Sequence, residues 1–377
     1  MGVVDRTVRR AAESAAAAGA ILSIDLSAIA ANYRALSALA GPAACAAVVK
    51  ADAYGLGAER VAPVLAAAGC RQFFVALVGE GIALRDILGP GPAIAVLNGT
   101  TPGSEAACYT HDLVPVLNDA AQLHAWQTLA RRVGRRLPAI LQVDSGMARF
   151  GFPMAEAEAL LDDPAGFEGI ALRLAMSHLA CADEPDHPAN AAQLAAFSAI
   201  RRRLPDVPAS LAASSGIFLG ADYHFDMVRP GAALYGIAPQ AGQPNPMRPV
   251  IRLQARVMQV RAVPAGTPVG YGHTQTVARD SRLATVAIGY ADGLPRSTAS
   301  GEAWFEGVRL PQLGRVSMDS LILDVSDLPP HALNAGDLVD IIGPHRPLDA
   351  VAASAGTIGY EILTGLGQRF HRTYSAA

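Results

Sequence analysis

A lysine that ends an apolar run is the residue of this sequence with the clearest chemical potential. The segment from Ala46 to Gly57 reads Ala-Ala-Val-Val-Lys-Ala-Asp-Ala-Tyr-Gly-Leu-Gly, so we expect Lys50 at the carboxyl end of a β-strand. Burial there would disfavour the ammonium ion and lower the lysine pKa, and a neutral amine can form a Schiff base with an aldehyde. The alternative is a lysine whose charge reaches solvent at the rim of the sheet. This segment alone leaves both interpretations open.

Polar residues also follow several other strand-like runs. Because the strand ends of an α/β barrel meet at one face, we expect these side chains to converge with Lys50 on one mouth. The turn at Ser214 and Ser215 and the backbone near Gly231 are suited to a phosphate group. A Schiff-base lysine beside a phosphate site indicates pyridoxal phosphate, and an aldolase-type barrel is the competing interpretation. The polar residues at strand ends are Lys50, Tyr54, Asp144 to Arg149, His178, Ser214, Ser215 and Arg229.

The elements that would position these residues predict an α/β fold, a (β/α)8 TIM barrel. Eight apolar runs alternate with amphipathic stretches, such as 119–133 and 190–204, that are typical of surface helices. Eight such units in about 220 residues match the size of this fold. A doubly wound sheet is the alternative, but no Gly-x-Gly-x-x-Gly follows the first run. The predicted strands are 46–50, 73–77, 93–97, 113–117, 139–143, 171–178, 210–214 and 232–235, and residues 20–39 form a strand and helix leading into the barrel.

The sequence changes character at 244–249, where proline-containing breaks form a linker. Strand-like runs separated by Gly, Pro and Asp turns then predict a mostly antiparallel β domain, with a helix near 357–366. We therefore divide the chain into a barrel over residues 20–243 and a β domain over residues 244–377, with residues 1–19 as a candidate addition to the β domain. The predicted strands of that domain are 250–263, 283–288, 321–325 and 338–342.

Composition favours a small-molecule partner. Hydrophobic residues make up 51% of the 377 residues and charged residues 17%, and the net charge of −3 argues against a nucleic-acid surface. Cys45, Cys70, Cys108 and Cys181 lack a metal-binding spacing and are too few for a disulfide framework, so we expect reduced thiols, no metal site and a cytoplasmic protein. No apolar stretch approaches the roughly 18 residues that cross a bilayer, and no export signal or membrane partner is expected.

Seven motifs, spread almost from end to end, resemble those of the alanine racemases, a family of two-domain pyridoxal-phosphate barrels. Together they are highly specific. The resemblance implies interconversion of L-alanine and D-alanine, supply of D-alanine for peptidoglycan, and a homodimer with composite active sites. The motifs are Val49-Lys50-Ala-Asp-Ala-Tyr54-Gly-Leu-Gly57, Val143-Asp-Ser-Gly-Met-Ala-Arg149-Phe-Gly, Ser177-His178-Leu-Ala, Met227-Val-Arg229-Pro-Gly, Ile288-Gly-Tyr290-Ala-Asp-Gly293, Gly314-Arg-Val-Ser-Met318-Asp319 and Ile358-Gly-Tyr360-Glu.

The resemblance assigns two bases to the reaction, because racemisation removes the α-proton from one face and returns a proton on the other. One base is Lys50, and the second is Tyr290, expected from the β domain of the partner subunit. A tyrosine needs nearby positive charge or hydrogen bonds to act as a base, and the family supplies them through His178 and Arg229. Arg229 is also expected to face the pyridine nitrogen and, because a guanidinium keeps its proton, to leave that nitrogen unprotonated.

The resemblance also assigns the residues that hold the substrate and the phosphate. Arg149 and the backbone around Met318 are expected to bind the substrate carboxylate. Tyr271 and Tyr290 would narrow the entrance and so favour alanine, and a packed β-domain tyrosine is the alternative for Tyr271. The phosphate is assigned to Tyr54, Ser214, Gly231, Ala232 and Tyr360.

Two residues depart from the family pattern. The asparagine that precedes the phosphate serine is Ala213 here, and the lysine that is often carboxylated is Gln142. The Gln142 oxygen is expected to accept a hydrogen bond from Arg149, and the alternative is that Gln142 points into the barrel core and does not meet Arg149. Three other functions stay open, namely a racemase of broader specificity such as one for serine, a pyridoxal-phosphate barrel decarboxylase, and a non-catalytic cofactor carrier. The decarboxylases use a cysteine in the second domain, and all four cysteines here precede residue 182. The β domain itself argues against the carrier.

Overall fold

The computed structural model describes residues 15–296 and 301–375, and these residues divide into two compact units. One unit comprises residues 28–248, and the other combines residues up to 27 with residues from 249 onward. None of the helices described in these ranges is long and apolar enough to cross a membrane. The unit boundary near 248 lies a few residues after the boundary predicted from the proline-rich linker.

The unit of residues 28–248 is a closed ring of parallel strands, and the predicted (β/α)8 barrel is confirmed. Neighbouring strands pair in parallel from the first to the seventh. The ring closes because Met227–Val228 pairs with Ala44–Cys45, and because Ala213 and Arg229 form a bridge between the last two strands. In chain order the strands are Ala44–Cys45 continued by Ala47–Val48, Gln72–Val75, Ala93–Val96, Leu113–Leu117, Leu137–Asp144, Ile170–Met176, Ala209–Ser210 and Met227–Val228, with Phe152–Pro153 paired to the end of the fifth.

An α-helix follows each of the first six barrel strands, whereas short 3-10 helices follow the last two. The helix Ala120–Val133 shows how the sequence sets these elements. Asp119 caps it by accepting a hydrogen bond from the Gln122 backbone N–H at 2.8 Å, and Leu123 and Trp126 lie on its buried face. The helices of this region are Leu26–Ala40, Ala58–Ala67, Val78–Leu88, Glu105–Thr110, Ala120–Val133, Met154–Asp162 and Pro188–Arg203, and the 3-10 helices are Ser215–Leu219, Ala221–Tyr223 and Ala232–Tyr235.

The predicted eighth strand at residues 232–235 is wrong. Ala232–Tyr235 is a 3-10 helix, and the strand lies earlier, at Met227–Val228. The run is buried throughout, and a short buried apolar run looks the same in sequence whether it is a strand or a helical turn. The backbone N–H of Ala233 donates to the Ser214 hydroxyl at 3.2 Å rather than to a neighbouring strand. A side chain outside the run therefore accepts one of its backbone hydrogen bonds.

The second unit is a mostly antiparallel β domain, as predicted. Ile251–Val263 is its longest strand and pairs with three others, including Ser281–Val286, which lies at the far end of the sheet order and so curls the sheet round. The described strands are Ala20–Asp25, Ile251–Val263, Pro268–Val269, Gln275–Thr276, Ser281–Val286, Glu302–Phe305, Val308–Leu313, Leu321–Asp324, Leu338–Ile342 and His371–Ser375. The helices are Leu348–Ser354 and Gly359–Gly365, and the 3-10 helices are Tyr271–His273 and Tyr290–Asp292.

The strand Ala20–Asp25 belongs to the β domain rather than to the barrel, which corrects the predicted barrel start at residue 20. It pairs antiparallel with Ile251–Val263 and parallel with His371–Ser375. Its residues alternate between buried and half-buried positions, as expected for a strand with one face on a core. Just before it, the carbonyls of Ala15 and Ala18 accept hydrogen bonds from Arg256 at 2.9 and 3.1 Å. Residues 1–14, part of the candidate N-terminal addition, lie outside the described residues.

Candidate active site

Lys50 stands at the start of a left-handed helical turn that directly follows the first barrel strand. Residues 51–54, Ala-Asp-Ala-Tyr, have φ between 52° and 56°, a region that costs an L-residue roughly 1–2 kcal/mol each. Two backbone hydrogen bonds close the turn, from Ala53 N–H to the Val49 carbonyl at 3.0 Å and from Gly55 N–H to the Ala51 carbonyl at 2.8 Å. A run of strained residues at one place is typical of a functional site.

The position of Lys50 at the barrel mouth agrees with the prediction, and its pKa is lowered. Burial is the main cause, the positive charge of Arg149 adds to it, and the carboxylate of Glu80 opposes it. The amine is therefore more available as a nucleophile than that of an exposed lysine. Lys50 is also the only lysine among the 377 residues. That count was a further signal in the sequence, because any chemistry that needs a side-chain amine must use this residue.

His178 and Arg229 lie beside Lys50 in a strongly cationic environment. Arg229 is 2% exposed and donates hydrogen bonds to the Ser210 hydroxyl and to the Ser177 carbonyl at 2.7 Å. Its burial lowers its pKa to about 10, so it keeps its proton at neutral pH. Burial, followed by the positive charges of Arg229, Arg149 and Lys50, lowers the pKa of His178 to about 3. The imidazole is therefore neutral, and the mouth as a whole attracts anions.

A cradle of neutral donors forms where the seventh and eighth strands end. The Ser214 hydroxyl accepts hydrogen bonds from the backbone N–H groups of Gly231 at 2.9 Å and Ala233 at 3.2 Å. A Cβ atom at Gly231 would collide with the hydroxyl of Tyr54, so only glycine permits this approach. Ala232 begins the 3-10 helix between these donors. Hydroxyl and N–H groups converging on one place fit a phosphate ester, and four assigned residues are brought together here.

Arg149 and Gln142 do not form the hydrogen bond expected from the sequence. The Gln142 side chain is 6% exposed, and its Nε2 donates to the carbonyl of Phe150 at 3.2 Å. A Cβ atom at Gly151 would lie 3.1 Å from Gln142 Cγ, so the backbone after Arg149 packs closely on this side chain. Arg149 itself is exposed and forms no hydrogen bond or ion pair with another described residue. Its guanidinium is thus available to an external carboxylate.

The other assigned residues lie in the β domain and are largely exposed. Tyr271 is 68% exposed, Met318 is 54% exposed and Tyr290 is 41% exposed, so the interpretation of Tyr271 as a packed tyrosine is wrong. The hydroxyl of Tyr290 forms no hydrogen bond with another described residue. Tyr360 lies in the helix Gly359–Gly365 and is half-buried. Each of these side chains is presented at the surface of its unit.

A clamp that the sequence prediction missed holds the backbone of Tyr290. Arg369 binds both oxygens of Asp292, at 2.8 and 2.9 Å, and also Asp319 at 2.6 Å. Asp292 in turn accepts a hydrogen bond from the Gly289 N–H at 2.9 Å, and the Tyr290 N–H donates to the carbonyl of Ser317 at 3.1 Å. Asp292 and Asp319 each occur within one of the recognised motifs, so the sequence marked these two members of the clamp. Arg369 stands far from both in sequence and carried none.

Comparison with known proteins assigns the family. A model of the alanine racemase N-terminal domain matches residues 24–239, and a model of the alanine racemase C-terminal domain matches residues 250–374. The chain belongs to the alanine racemase family. A catabolic alanine racemase from Mesorhizobium japonicum is 59% identical over 96% of this chain and 94% of its own length. A catabolic alanine racemase from Agrobacterium fabrum is 52% identical over the same shares.

Solved structures of alanine racemases also match the chain. The crystal structure from Bartonella henselae, which has covalently bound pyridoxal phosphate, is 44% identical with a TM-score of 0.91 and covers 95% of this chain and 100% of its own. The structure from Pseudomonas aeruginosa is 36% identical with a TM-score of 0.87, again over 95% and 100%. The family, the racemase class and the pyridoxal-phosphate dependence expected from the sequence are therefore confirmed.

Proposed function

We propose that the chain interconverts L-alanine and D-alanine, with pyridoxal phosphate held at Lys50. The observation that carries the proposal is the pairing of Lys50, whose pKa is lowered, with the cradle of Tyr54, Ser214 and Gly231 in one cationic mouth. When bound, the cofactor withdraws electrons from the substrate α-carbon and so makes its proton acidic. The hydroxyls and N–H groups of the cradle bind the phosphate, and Lys50 moves a proton on one face of the α-carbon.

Two arginines divide the remaining work within the barrel. Arg229 would hold the pyridine ring of the cofactor, and it keeps its own proton because even its lowered pKa of about 10 lies well above neutral pH. Arg149 binds the substrate carboxylate through its unpaired guanidinium. Ala213 presents a methyl group where the family has an asparagine amide. Gln142 steadies the backbone of the Arg149 segment through Phe150 and leaves the charge of Arg149 uncompensated.

The second proton transfer is assigned to Tyr290 of the partner subunit in a head-to-tail homodimer. Five large residues of the β domain are exposed, and three of them, Tyr271, Tyr290 and Met318, are assigned to the site. The other two are Met258 and Ile358. In the barrel, Leu77 and Phe150 are exposed just beyond the second and fifth strands. Apolar surface of this kind on both units supports burial against a second copy. The dimer would bring Tyr290 to the cations that a tyrosine base requires.

The metabolic role follows from the same reversible chemistry. The sequence resemblance favours supply of D-alanine for peptidoglycan, whereas the two relatives from Mesorhizobium and Agrobacterium are named catabolic. Expression in a D-alanine auxotroph and growth of a deletion strain on D-alanine as a carbon source distinguish supply from degradation. A racemase that also accepts serine is the second candidate, because serine adds only a hydroxyl group to alanine and a pocket rejects an added hydroxyl weakly.

One assay tests the proposed activity. Purified protein loaded with pyridoxal phosphate is incubated in D₂O with L-alanine, L-serine, L-lysine or L-arginine, and optical rotation and α-deuteration are followed. Loss of rotation with one deuterium at the α-carbon of alanine is expected, with slower turnover of serine. Release of CO₂ from lysine or arginine without racemisation of alanine would instead assign the chain to the decarboxylases.

A further inference from the structure

Glu80 makes a connection that helix capping alone does not require. It is the third residue of the helix Val78–Leu88, and its Oε2 accepts hydrogen bonds from the backbone N–H groups of Ala76 at 2.7 Å and Leu77 at 3.2 Å. Those two bonds cap the helix in the usual way. The other oxygen, Oε1, accepts a hydrogen bond from the N–H of Ala51 at 2.8 Å, 29 residues away in sequence. One carboxylate therefore joins the ends of the first two barrel strands.

The bond to Ala51 falls at the most sensitive point of the Lys50 turn. Ala51 is the residue directly after Lys50 and the first of the four left-handed residues. A second carboxylate, that of Asp52, accepts a hydrogen bond from Ala58 N–H at 2.7 Å and anchors the far side of the turn. Strained backbone persists only where surrounding groups fix it, and a bond between a charged acceptor and an N–H is stronger than a neutral one.

Glu80 also supplies the negative charge that acts on the Lys50 amine. The charged and titratable groups around that amine are Arg149, Glu80 and His178, and of these only Glu80 favours the ammonium form. Burial and Arg149 act in the opposite direction. A carboxylate at this place can therefore both hold the backbone of Lys50 and limit how far its amine is neutralised.

We propose that Glu80 is a positioning residue for Lys50, whose carboxylate fixes the left-handed turn through Ala51 N–H and keeps a negative charge beside the amine. The inference rests on the proposed role of Lys50 as the cofactor lysine. The hydrogen bonds of the Glu80 carboxylate all come from backbone N–H groups. Its effect is on where the Lys50 amine points and on the fraction of that amine that is protonated.

Three variants separate the two roles of Glu80 from simple helix capping. Glu80→Gln keeps the length of the side chain but loses its charge and one acceptor oxygen. Glu80→Asp keeps the charge and a helix cap but is one methylene shorter, so it no longer reaches Ala51. Glu156→Gln is the matched control, because Glu156 is the third residue of the helix Met154–Asp162, is exposed, and forms no hydrogen bond with a described residue.

Because Lys50 is the only lysine, the titration of its amine can be measured without interference from other side-chain amines. Acetylation of the cofactor-free full chain by acetic anhydride, followed by peptide mass spectrometry across a pH series, reports the titration of Lys50 alone among side-chain amines. Glu80→Gln should shift the midpoint to lower pH by roughly one unit, whereas Glu80→Asp and Glu156→Gln should stay close to the unmodified chain. In the loaded enzyme, kcat should fall about 10- to 100-fold in both Glu80 variants with a smaller change in KM.

The outcomes that overturn the inference differ from those that overturn the proposed function. If Glu80→Gln lowers only the melting temperature and leaves the Lys50 titration and kcat unchanged, Glu80 is a helix cap and nothing more. If Glu80→Gln does not fold, full activity in Glu80→Asp would equally refute the need for the bond to Ala51. If instead the unmodified chain fails to take a pyridoxyl group at Lys50 on borohydride reduction, the proposed function itself is wrong.

Discussion

The turns that carry Lys50 and Tyr290 differ in how their backbone conformation is held and in how far their side chains are buried. Lys50 begins a left-handed turn of residues that resist that conformation, and two carboxylates hold the turn in place. Tyr290 begins a 3-10 turn between Gly289 and Gly293. The positive φ of 97° falls on Gly293, where a glycine adopts it without strain. Lys50 is partly buried among charged groups of its own unit, whereas Tyr290 is 41% exposed and its hydroxyl has no described partner.

This comparison shows that the charged groups around Lys50 are supplied by its own unit, whereas the Tyr290 hydroxyl has no such partner among the described residues of its unit. The groups that set the protonation of Lys50 all lie in the barrel, so its chemistry is prepared before any partner binds. The Tyr290 backbone is held through Asp292 and Arg369, but no described residue forms a hydrogen bond with its hydroxyl. A hydroxyl works as a base only where neighbours stabilise its anion. We infer that Tyr290 is positioned by its own chain and activated by another.

Removal of Lys50 should have the largest effect. Lys50→Ala loses a base and the covalent hold on the cofactor, so activity should fall by more than about a thousandfold. Because no other lysine exists in the chain, borohydride reduction should attach no pyridoxyl group to any side chain. Peptide mass spectrometry after reduction measures this directly. Incorporation at the α-amino group of Met1 in the unmodified protein would contradict the role of Lys50.

Loosening the Tyr290 turn should have a smaller and more selective effect. Arg369→Lys keeps a positive charge but cannot bind both oxygens of Asp292 and also Asp319, so we expect a loss of about tenfold in kcat. The loss should be accompanied by a larger α-deuterium isotope effect in the direction in which Tyr290 removes the proton. Arg309→Lys, which affects an exposed ion pair with Glu302, is the control. Equal isotope effects in both directions would show that the clamp does not serve Tyr290.

The smallest expected effect concerns pH and the barrel alone. The pKa of His178 is lowered to about 3 in the folded chain, and an unfolded histidine titrates near 6.5. Between these values the unfolded chain binds the extra proton, so the free energy of unfolding should decrease as pH falls from about 6.5 towards 3. In His178→Asn, the decrease in the free energy of unfolding over this pH range should be smaller by roughly 1–2 kcal/mol. This value allows for the partial exposure of the His178 side chain, which weakens the effect of burial. Urea unfolding of the cofactor-free chain at several pH values measures this difference. If the free energy of unfolding depends on pH in the same way in the unmodified chain and in His178→Asn, the lowered pKa of His178 is refuted.

The barrel mouth could be predicted because strand ends are visible in the sequence. Lys50, His178 and Ser214 each end an apolar run, and the barrel topology brings them together. The conformation that follows Lys50 could not be predicted, because Ala-Asp-Ala-Tyr has no left-handed preference and Glu80 fixes it from a distant position. Residues 232–235 were misassigned because a short buried apolar run looks the same as a strand or a helical turn, and the Ser214 hydroxyl that accepts from Ala233 N–H is distant in sequence.

The predicted partner of Gln142 was wrong for a packing reason. The glutamine and arginine are close in sequence, and a hydrogen bond between them was chemically reasonable. The amide instead donates to the Phe150 carbonyl, because Gly151 allows the backbone to pack against it. Residue types showed which groups were available in this segment. The path of the backbone determined which of them met.

Complementation between inactive chains tests the central claim most directly. Lys50→Ala and Tyr290→Phe chains, carrying different affinity tags, are unfolded, mixed in equal amounts and refolded, and hybrid dimers are purified through both tags. Each hybrid should contain one site with neither substitution, so its activity should be about half that of the unmodified dimer. Each variant refolded alone should stay inactive. Inactive hybrids, shown to be dimers that bind pyridoxal phosphate, would contradict the account and place both bases in one chain.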